Sequence, residues 1–502
     1  MELHRDVRHV MVLGLGDSGL AMARWCDRMG WQVTVVDNRE APPRWAQLQA
    51  DVPSAHFVAS AFEADLIDAT QAQAIFKSPG LSPAQVEALW SEAGRRGLWL
   101  GTELTLFAHA LQDMAEQSNH RPQVLAITGT NGKTTVTSLT AALLERAGLD
   151  VAVAGNIGPT LLDTLTDRLQ GALPQVWVLE LSSFQLNDTE GFEPTAATVL
   201  NITQDHLDWH GDMTAYASAK GRIFGGRTVR VLRRDDASVA QWMVQPVAAR
   251  RNEPATEVPE CITFGPDVPR RPGDYGLEEV NGMTWLVRAL PADETLKRKK
   301  GEEEEIFLQR LMPADALRIR GRHNALNALA ALALAASTGQ ALAPMLYGLR
   351  EYAGEPHRVE PVAIVHDVEY FDDSKGTNVG ATVAAIEGLG AERRLWVIMG
   401  GDGKGQNFGP LAAPVGRHVR GVALIGRDAP AIADALADCG VMLQRCDDLP
   451  QAVNWCRDQA QAGDAVLLSP ACASFDMFDN YGHRADVFVT AVHEIAADEG
   501  VA

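Results

Sequence analysis

The run Thr128-Gly129-Thr130-Asn131-Gly132-Lys133-Thr134-Thr135 restricts the fold more than any other stretch of the chain. It follows an apolar run, Val124 to Ile127, and precedes Val136, Leu139, Leu143 and Leu144, which recur at helical spacing. A glycine loop between a strand and a helix turns its backbone N–H groups towards a phosphate, and the helix N-terminus adds a favourable partial charge. In such a loop Lys133 neutralises β- and γ-phosphate oxygens and the Thr134 hydroxyl ligates Mg2+. The run departs from the general G-x-x-x-x-G-K-[ST] pattern, because Ile127 stands where the first glycine belongs.

A second glycine turn lies near the N-terminus. Gly14-Leu15-Gly16-Asp17-Ser18-Gly19 follows the apolar run Val10 to Leu13, precedes a helical pattern over Leu20 to Met29, and has Asp37 at the end of the next strand, Gln32 to Val36. Taken alone it is ambiguous: its default reading is the dinucleotide site of a dehydrogenase, and the other is a turn that only packs strand on helix. A third region carries strand-like runs at Trp396 to Met399 and Ala465 to Leu468, each entering a glycine- or serine-bearing loop. Further strands are expected at Val176 to Leu181 and Ala197 to Ile202, while 229–319 reads as less regular.

The length of 502 residues predicts about three domains. The expected architecture is α/β throughout. A Rossmann-like domain spans 1–118, and a central P-loop ATPase-like domain with a mixed or parallel sheet spans 119–353. A second Rossmann-like domain spans 354–502. A surface insertion is expected near 265–317, including the charged run Lys297 to Glu305. With 44 Lys and Arg against 65 Asp and Glu the net charge is −21, which excludes non-specific nucleic-acid binding. No apolar run approaches the ~18 residues of a membrane span. Six scattered cysteines without C-x-x-C spacing suggest neither a zinc site nor a disulfide framework, and a cytoplasmic location is expected.

Three central segments join the loop: Glu180 in Glu-Leu-Ser-Ser-Phe-Gln-Leu, His206 in Asn-Ile-Thr-Gln-Asp-His-Leu-Asp, and Lys220 in Tyr-Ala-Ser-Ala-Lys. A strand-end carboxylate and an imidazole suit a hard cation, although Glu180 and His206, each taken alone, read more readily as ordinary polar groups. With the T-G-T-N-G-K-T-T loop these segments resemble the Mur ligase family, and the third region is most similar to the branch that adds D-glutamate. The resemblance covers about residues 8–490.

It implies a ligase that uses ATP and two Mg2+ ions to join D-glutamate to UDP-N-acetylmuramoyl-L-alanine through an acyl phosphate, acting as a monomer. The residues implied as catalytic are Lys133, Glu180, His206 and Lys220. Thr134 and Glu180 would bind one metal, and His206 with carbamylated Lys220 the other. ATP is assigned to Gly129, Thr130, Asn131, Gly132, Lys133, Thr134, Thr135, Asn324, Asn327, Arg358, Asp373 and Lys375. The UDP substrate falls to Leu15, Gly16, Asp17, Ser18, Asp37, Asn38, Arg39, Ser78, Gly80 and Asn156. Glutamate falls to Thr377, Lys404, Ser474, Phe475 and Tyr481. Because ATP contacts come from two domains, the third is expected to close on ligand binding. The rival readings are a folylpolyglutamate synthetase, which should lack the first glycine-turn domain, and a nicotinamide-dependent dehydrogenase, which would leave the P-loop unexplained.

Overall fold

A computed structural model of the chain describes residues 7–243, 259–293, 305–391 and 393–500. Its strands form three sheets. The first contains, in spatial order, His56–Ala59, Gln32–Asp37, His9–Leu13, Ala74–Lys77 and Trp99–Thr102, all parallel. Consecutive strands build outwards from His9–Leu13 in both directions, so the crevice beside that strand's carboxyl end is the switch point where open α/β sheets bind ligands.

The central sheet has nine strands. Its parallel part places Gln123–Thr128 between Ala196–Val199 and Val176–Glu180, with Val151–Gly155 outside the latter. On the far side Val229–Arg233 and Cys261–Phe264 continue in parallel. Tyr275–Val280, Met283–Pro291 and Ile306–Pro313 then extend the sheet, the last two pairings antiparallel. These strands lie in the region read as irregular and as a surface insertion, where a sheet extension was not expected. They are partly exposed and carry Glu278, Glu279, Arg288 and Arg310 among their apolar residues, so they lack the continuous apolar run that marks a buried parallel strand. Of the charged run 297–305, all but Glu305 lies outside the described residues.

The third sheet orders Glu360–Val365, Val368–Asp372, Ala465–Leu468, Leu395–Gly400, Val419–Ile425 and Met442–Arg445, with only the first pairing antiparallel.

The three units are joined differently. One apolar cluster runs from Val10 and Val12 of the first sheet to Trp177 and Leu179 of the central sheet, and Phe107 meets Trp177 edge-on at 5.0 Å. Burial of each such large side chain stabilises by about 1.5–3 kcal/mol, so the first and central units behave as one body. The third unit keeps its apolar clusters to itself. It meets the central unit through polar side chains and through the helix Val379–Gly390, where His323 lies against Gly388. The helix Arg322–Ala336 behind that contact is nearly all Ala and Leu and is buried on every side.

Candidate active site

The glycine loop leaves the end of Gln123–Thr128 and enters the helix Lys133–Arg146. Its shape is imposed by the neighbouring segment. Thr130 N–H donates to the Asn201 carbonyl (3.0 Å), Asn131 N–H to Asn201 Oδ1 (2.9 Å), and the Thr203 N–H to Thr130 Oγ1 (3.0 Å). Gly132 sits at φ +84°, and a Cβ there would come within 2.8 Å of Asn327 Oδ1, so a side chain is excluded by both conformation and space. Asn327 therefore packs on the loop, and its Nδ2 donates to Asn324 Oδ1 (3.0 Å). Asn324 does not cap its helix: Gly321 occupies the N-cap, and Asn324 Nδ2 donates to the Arg320 carbonyl.

Two lysines converge on this loop. Lys133 Nζ donates to the Gly129 and Thr130 carbonyls (3.0 and 2.9 Å). Lys220, 2% exposed, donates to the Gly129 carbonyl (2.8 Å) and lies 4.7 Å over the Tyr216 ring. Burial, and then the neighbouring Lys133, hold the Lys220 ammonium well below the usual lysine range. Burial also lowers Lys133, with Glu180 opposing.

Facing them, Glu180 ends its strand and is 1% exposed. Its Oε1 accepts from Asn156 Nδ2 (2.8 Å), while Oε2 is buried without a hydrogen-bond partner. A buried carboxylate oxygen left open is costly unless a cation completes it, and an oxygen ligand beside a phosphate loop suits Mg2+. The donor set therefore fits that ion. His206 sits at φ +53°, a strained position for a non-glycine residue, with its ring packed on Phe184 at 4.7 Å. Burial lowers its basicity, leaving the neutral imidazole that ligates metals. His210 hydrogen-bonds Ser183 (2.9 Å) and stacks on Phe184. Burial brings it down to about 4.

The third unit reaches the same place. Arg358 Nη2 donates to Thr134 Oγ1 (2.8 Å), and Asn378 and Asn131 exchange amide hydrogen bonds (3.1 and 3.3 Å). Asp373, buried and hydrogen-bonded by Ser469 (2.7 Å), is pushed up to about 7 by burial, against the pull of Ser469 and Arg358. Asp373, Lys375 and Thr377 follow Val368–Asp372, Lys404 follows Leu395–Gly400, and Ser474 and Phe475 follow Ala465–Leu468. These strands are adjacent, so all six emerge along one sheet edge. Lys404 and Phe475 are exposed and Ser474 is buried. Lys375 lies 5.2 Å over the Tyr481 ring.

The first unit's candidates gather at its switch point. Ser78 Oγ donates to the Gly14 carbonyl (2.8 Å), and a Cβ on Gly19 would fall 1.9 Å from that carbonyl oxygen, so the turn requires glycine there. Asp37 is fully engaged: its carboxylate accepts from Leu15 N–H (2.7 Å), Arg39 N–H and the Arg39 guanidinium. Burial pushes it up, but the Arg39 and Leu15 hydrogen bonds prevail and hold it below the ordinary range. It braces Arg39 and the turn. Gly16 and Ser18 are half-buried, Asp17, Asn38 and Gly80 are exposed, and Asn156 is exposed in the central unit, where it bonds Glu180.

Several residues here were not anticipated. Tyr216 hydrogen-bonds Thr130 (3.0 Å), and its place four residues before Lys220 on one helix was a usable signal. Asp205 contacts His206 through both carboxylate oxygens. Arg484, with no exposure, donates to the Ser374 hydroxyl and carbonyl and to the Cys472 carbonyl, fixing the loops that bear Lys375 and Ser474.

The arrangement defines a three-unit α/β protein built around a phosphate loop, with a buried carboxylate and paired lysines at its mouth. Residues 8–95 match the Mur ligase MurD-like N-terminal domain, 127–255 the Mur ligase middle domain, and 357–472 the Mur ligase glutamate ligase domain. A UDP-N-acetylmuramoylalanine–D-glutamate ligase of Albidiferax ferrireducens is 61% identical, over 99% of this chain and 98% of the relative. One from Burkholderia thailandensis is 56% identical over 98% of both. Among solved structures, the MurF ligase of Thermotoga maritima in complex with ADP superposes with a TM-score of 0.56 at 16% identity, over 98% of this chain and 97% of that one. The UDP-N-acetylmuramate–alanine ligase of the same organism gives 0.51 at 20%, over 97% and 99%, and both share the fold. The chain belongs to the Mur ligase family.

Proposed function

We propose that this chain joins D-glutamate to UDP-N-acetylmuramoyl-L-alanine, with cleavage of ATP to ADP and phosphate, in the synthesis of peptidoglycan precursors. The observation that carries this reading is end-to-end likeness, at 61% identity, to a relative bearing that name. In this reading the domains are 1–118 for the UDP substrate, 119–353 for ATP, and 354–502 for glutamate. The enzyme works as a monomer in the cytoplasm, and its six free cysteines accord with a reducing compartment.

The substrate's alanyl carboxylate takes the γ-phosphoryl group of ATP, and the amine of D-glutamate then attacks the acyl phosphate and expels phosphate. Lys133 leaves its own loop carbonyls to neutralise the transferred oxygens, and Arg358, a fixed planar cation already at Thr134, pairs with the same phosphates. Thr134 and Glu180 would hold one Mg2+, and His206 with carbamylated Lys220 the second. When bound, these ions neutralise charge on the transferred group. Carbamylation converts a cation into a carboxylate-like ligand, and it suits a pocket where two buried lysines crowd together. Lys404, Ser474 and Thr377 supply a cation and hydroxyls for an amino acid with two carboxylates, with Lys375 and Tyr481 beside them.

Phosphate release in the presence of Mg2+ and UDP-N-acetylmuramoyl-L-alanine is expected with D-glutamate and not with L-glutamate. Turnover with L-glutamate alone would reassign the amino acid. Turnover with neither would send the chain to a sibling activity.

Closure of the third domain follows from its few bonds to the loop. One charge-assisted hydrogen bond and one amide pair are worth only a few kcal/mol, at about 1–3 kcal/mol each. Ligands spanning both units therefore control the equilibrium. Small-angle scattering should show a smaller radius of gyration once an ATP analogue and the UDP substrate are added. An unchanged radius would mean the units are already locked.

A further inference from the structure

Among the described residues, polar ties cross from the first unit to the central one. Arg24 meets Asp163 (3.1 Å), Thr102 Oγ1 meets Thr189 Oγ1 (3.0 Å), Glu103 accepts from Leu162 N–H (3.0 Å), and Lys77 meets Asp188 (2.5 Å). The last stands apart. The Lys77 side chain is 1% exposed, and its ammonium also lies 5.5 Å from the ring centroids of both Trp90 and Trp209. In the sequence it stands just before Ser78 and Gly80, which are expected at UDP. In the fold its ammonium is committed to Asp188 instead.

Each partner of Lys77 leads to a different part of the site. Ser78, the next residue, closes the glycine turn through the Gly14 carbonyl. Asp188 ends the short helix Ser183–Asn187, which follows Glu180 by two residues. Trp209 lies three residues after His206 and packs on Phe184 at 4.8 Å, the ring that also carries His206. One buried ammonium thus touches the strand bearing the nucleotide turn, the segment leaving Glu180, and the loop presenting His206. An apolar side chain of similar length would fill the space between two tryptophans without the desolvation cost of a charge. What the charge adds is direction, because a cation holds Asp188 and two aromatic faces in one geometry, which an apolar side chain does not.

We propose that Lys77 is a positioning residue. It sets the register between the turn that holds the substrate's nucleotide and the side chains at its reacting carboxylate. This deepens the reading given under Proposed function and rests on it. A substrate anchored at its UDP end delivers its carboxylate correctly only if the two ends of the site keep a fixed separation. A misplacement of about 1 Å is enough to cost up to about 100-fold in rate.

The test compares Lys77→Met, Lys77→Arg, Asp188→Asn and the double variant Lys77→Met/Asp188→Asn in the full chain. Lys77→Met should raise KM for UDP-N-acetylmuramoyl-L-alanine and lower kcat, each by about tenfold, while KM for ATP stays within about twofold. Lys77→Arg, which keeps the charge, should recover most of the loss, and the double variant should be no worse than Lys77→Met. Hydrogen exchange should quicken in 78–81 and 205–210 together. If Lys77→Met does not fold, Asp188→Asn carries the same measurements, since Asp188 is partly exposed. Parental kinetics together with unchanged exchange in 205–210 would overturn the proposal. If the parent shows no turnover with this substrate, yet Lys77→Met loosens both segments, the functional reading fails and the tie stands.

Discussion

A Glu180→Gln variant is expected to release phosphate about 10³-fold more slowly than the parent while melting at the same temperature or higher, the size of loss typical of one preorganised electrostatic contact. The two effects have one origin. Glu180 Oε2 is buried without a hydrogen bond, so in the absence of a metal ion the desolvation of that oxygen is offset only through space by Lys133 and Lys220. A glutamine keeps the Asn156 hydrogen bond through its own carbonyl oxygen and removes the anion, so the fold keeps that bond and sheds the desolvation of a buried charge, against the attraction of Lys133 and Lys220 that it gives up. The site loses a charged oxygen ligand, and the Mg2+ concentration for half-maximal activity should rise accordingly. Scanning calorimetry and a Mg2+ titration of phosphate release decide it. A variant that melts lower and keeps parental Mg2+ dependence would mean that Glu180 is structural.

That opposition explains why the site was only partly legible in the sequence. The two glycine loops announced themselves because an apolar strand, a turn with positive-φ glycines and an amphipathic helix each leave a local pattern. The strands seen at His9–Leu13, Gln123–Thr128 and Leu395–Gly400 stand within a residue of the expected runs. The strands at 275–313 had no such mark, being partly exposed strands at one end of the sheet, with charged residues among the apolar ones. The convergence of Glu180, His206 and Lys220 has no local signature at all, and only the family resemblance singled them out. Arg358 on Thr134 and Asn378 on Asn131 join residues more than two hundred positions apart, which no periodicity reports. Asp37 shows the reverse limit. Its type and position suggest a ligand group, yet its hydrogen bonds are spent on Leu15 and Arg39.

Lys220 carries the second large expectation. Lys220→Ala should lower phosphate release by about 10³-fold, and acetate or formate at high concentration should restore part of it. Removing a fully buried side chain leaves a cavity beside the Gly129 carbonyl and Tyr216, sized for a small carboxylate and open to the same neighbours. The parent should take up one equivalent of carbon dioxide at Lys220: the neutral amine attacks, forms a C–N bond and releases one proton, giving a carbamate. Carbon-13 bicarbonate should therefore produce a carbamate resonance in the parent that is missing from Lys220→Ala. Thermal melting of both proteins guards against a folding defect, since the alanine variant also forfeits the bond to Gly129. A parent without that resonance, together with an alanine variant that keeps most of its activity, would reduce Lys220 to a brace for the loop. The carboxylate rescue and the resonance should instead stand or fall together, because both report the same missing negative charge.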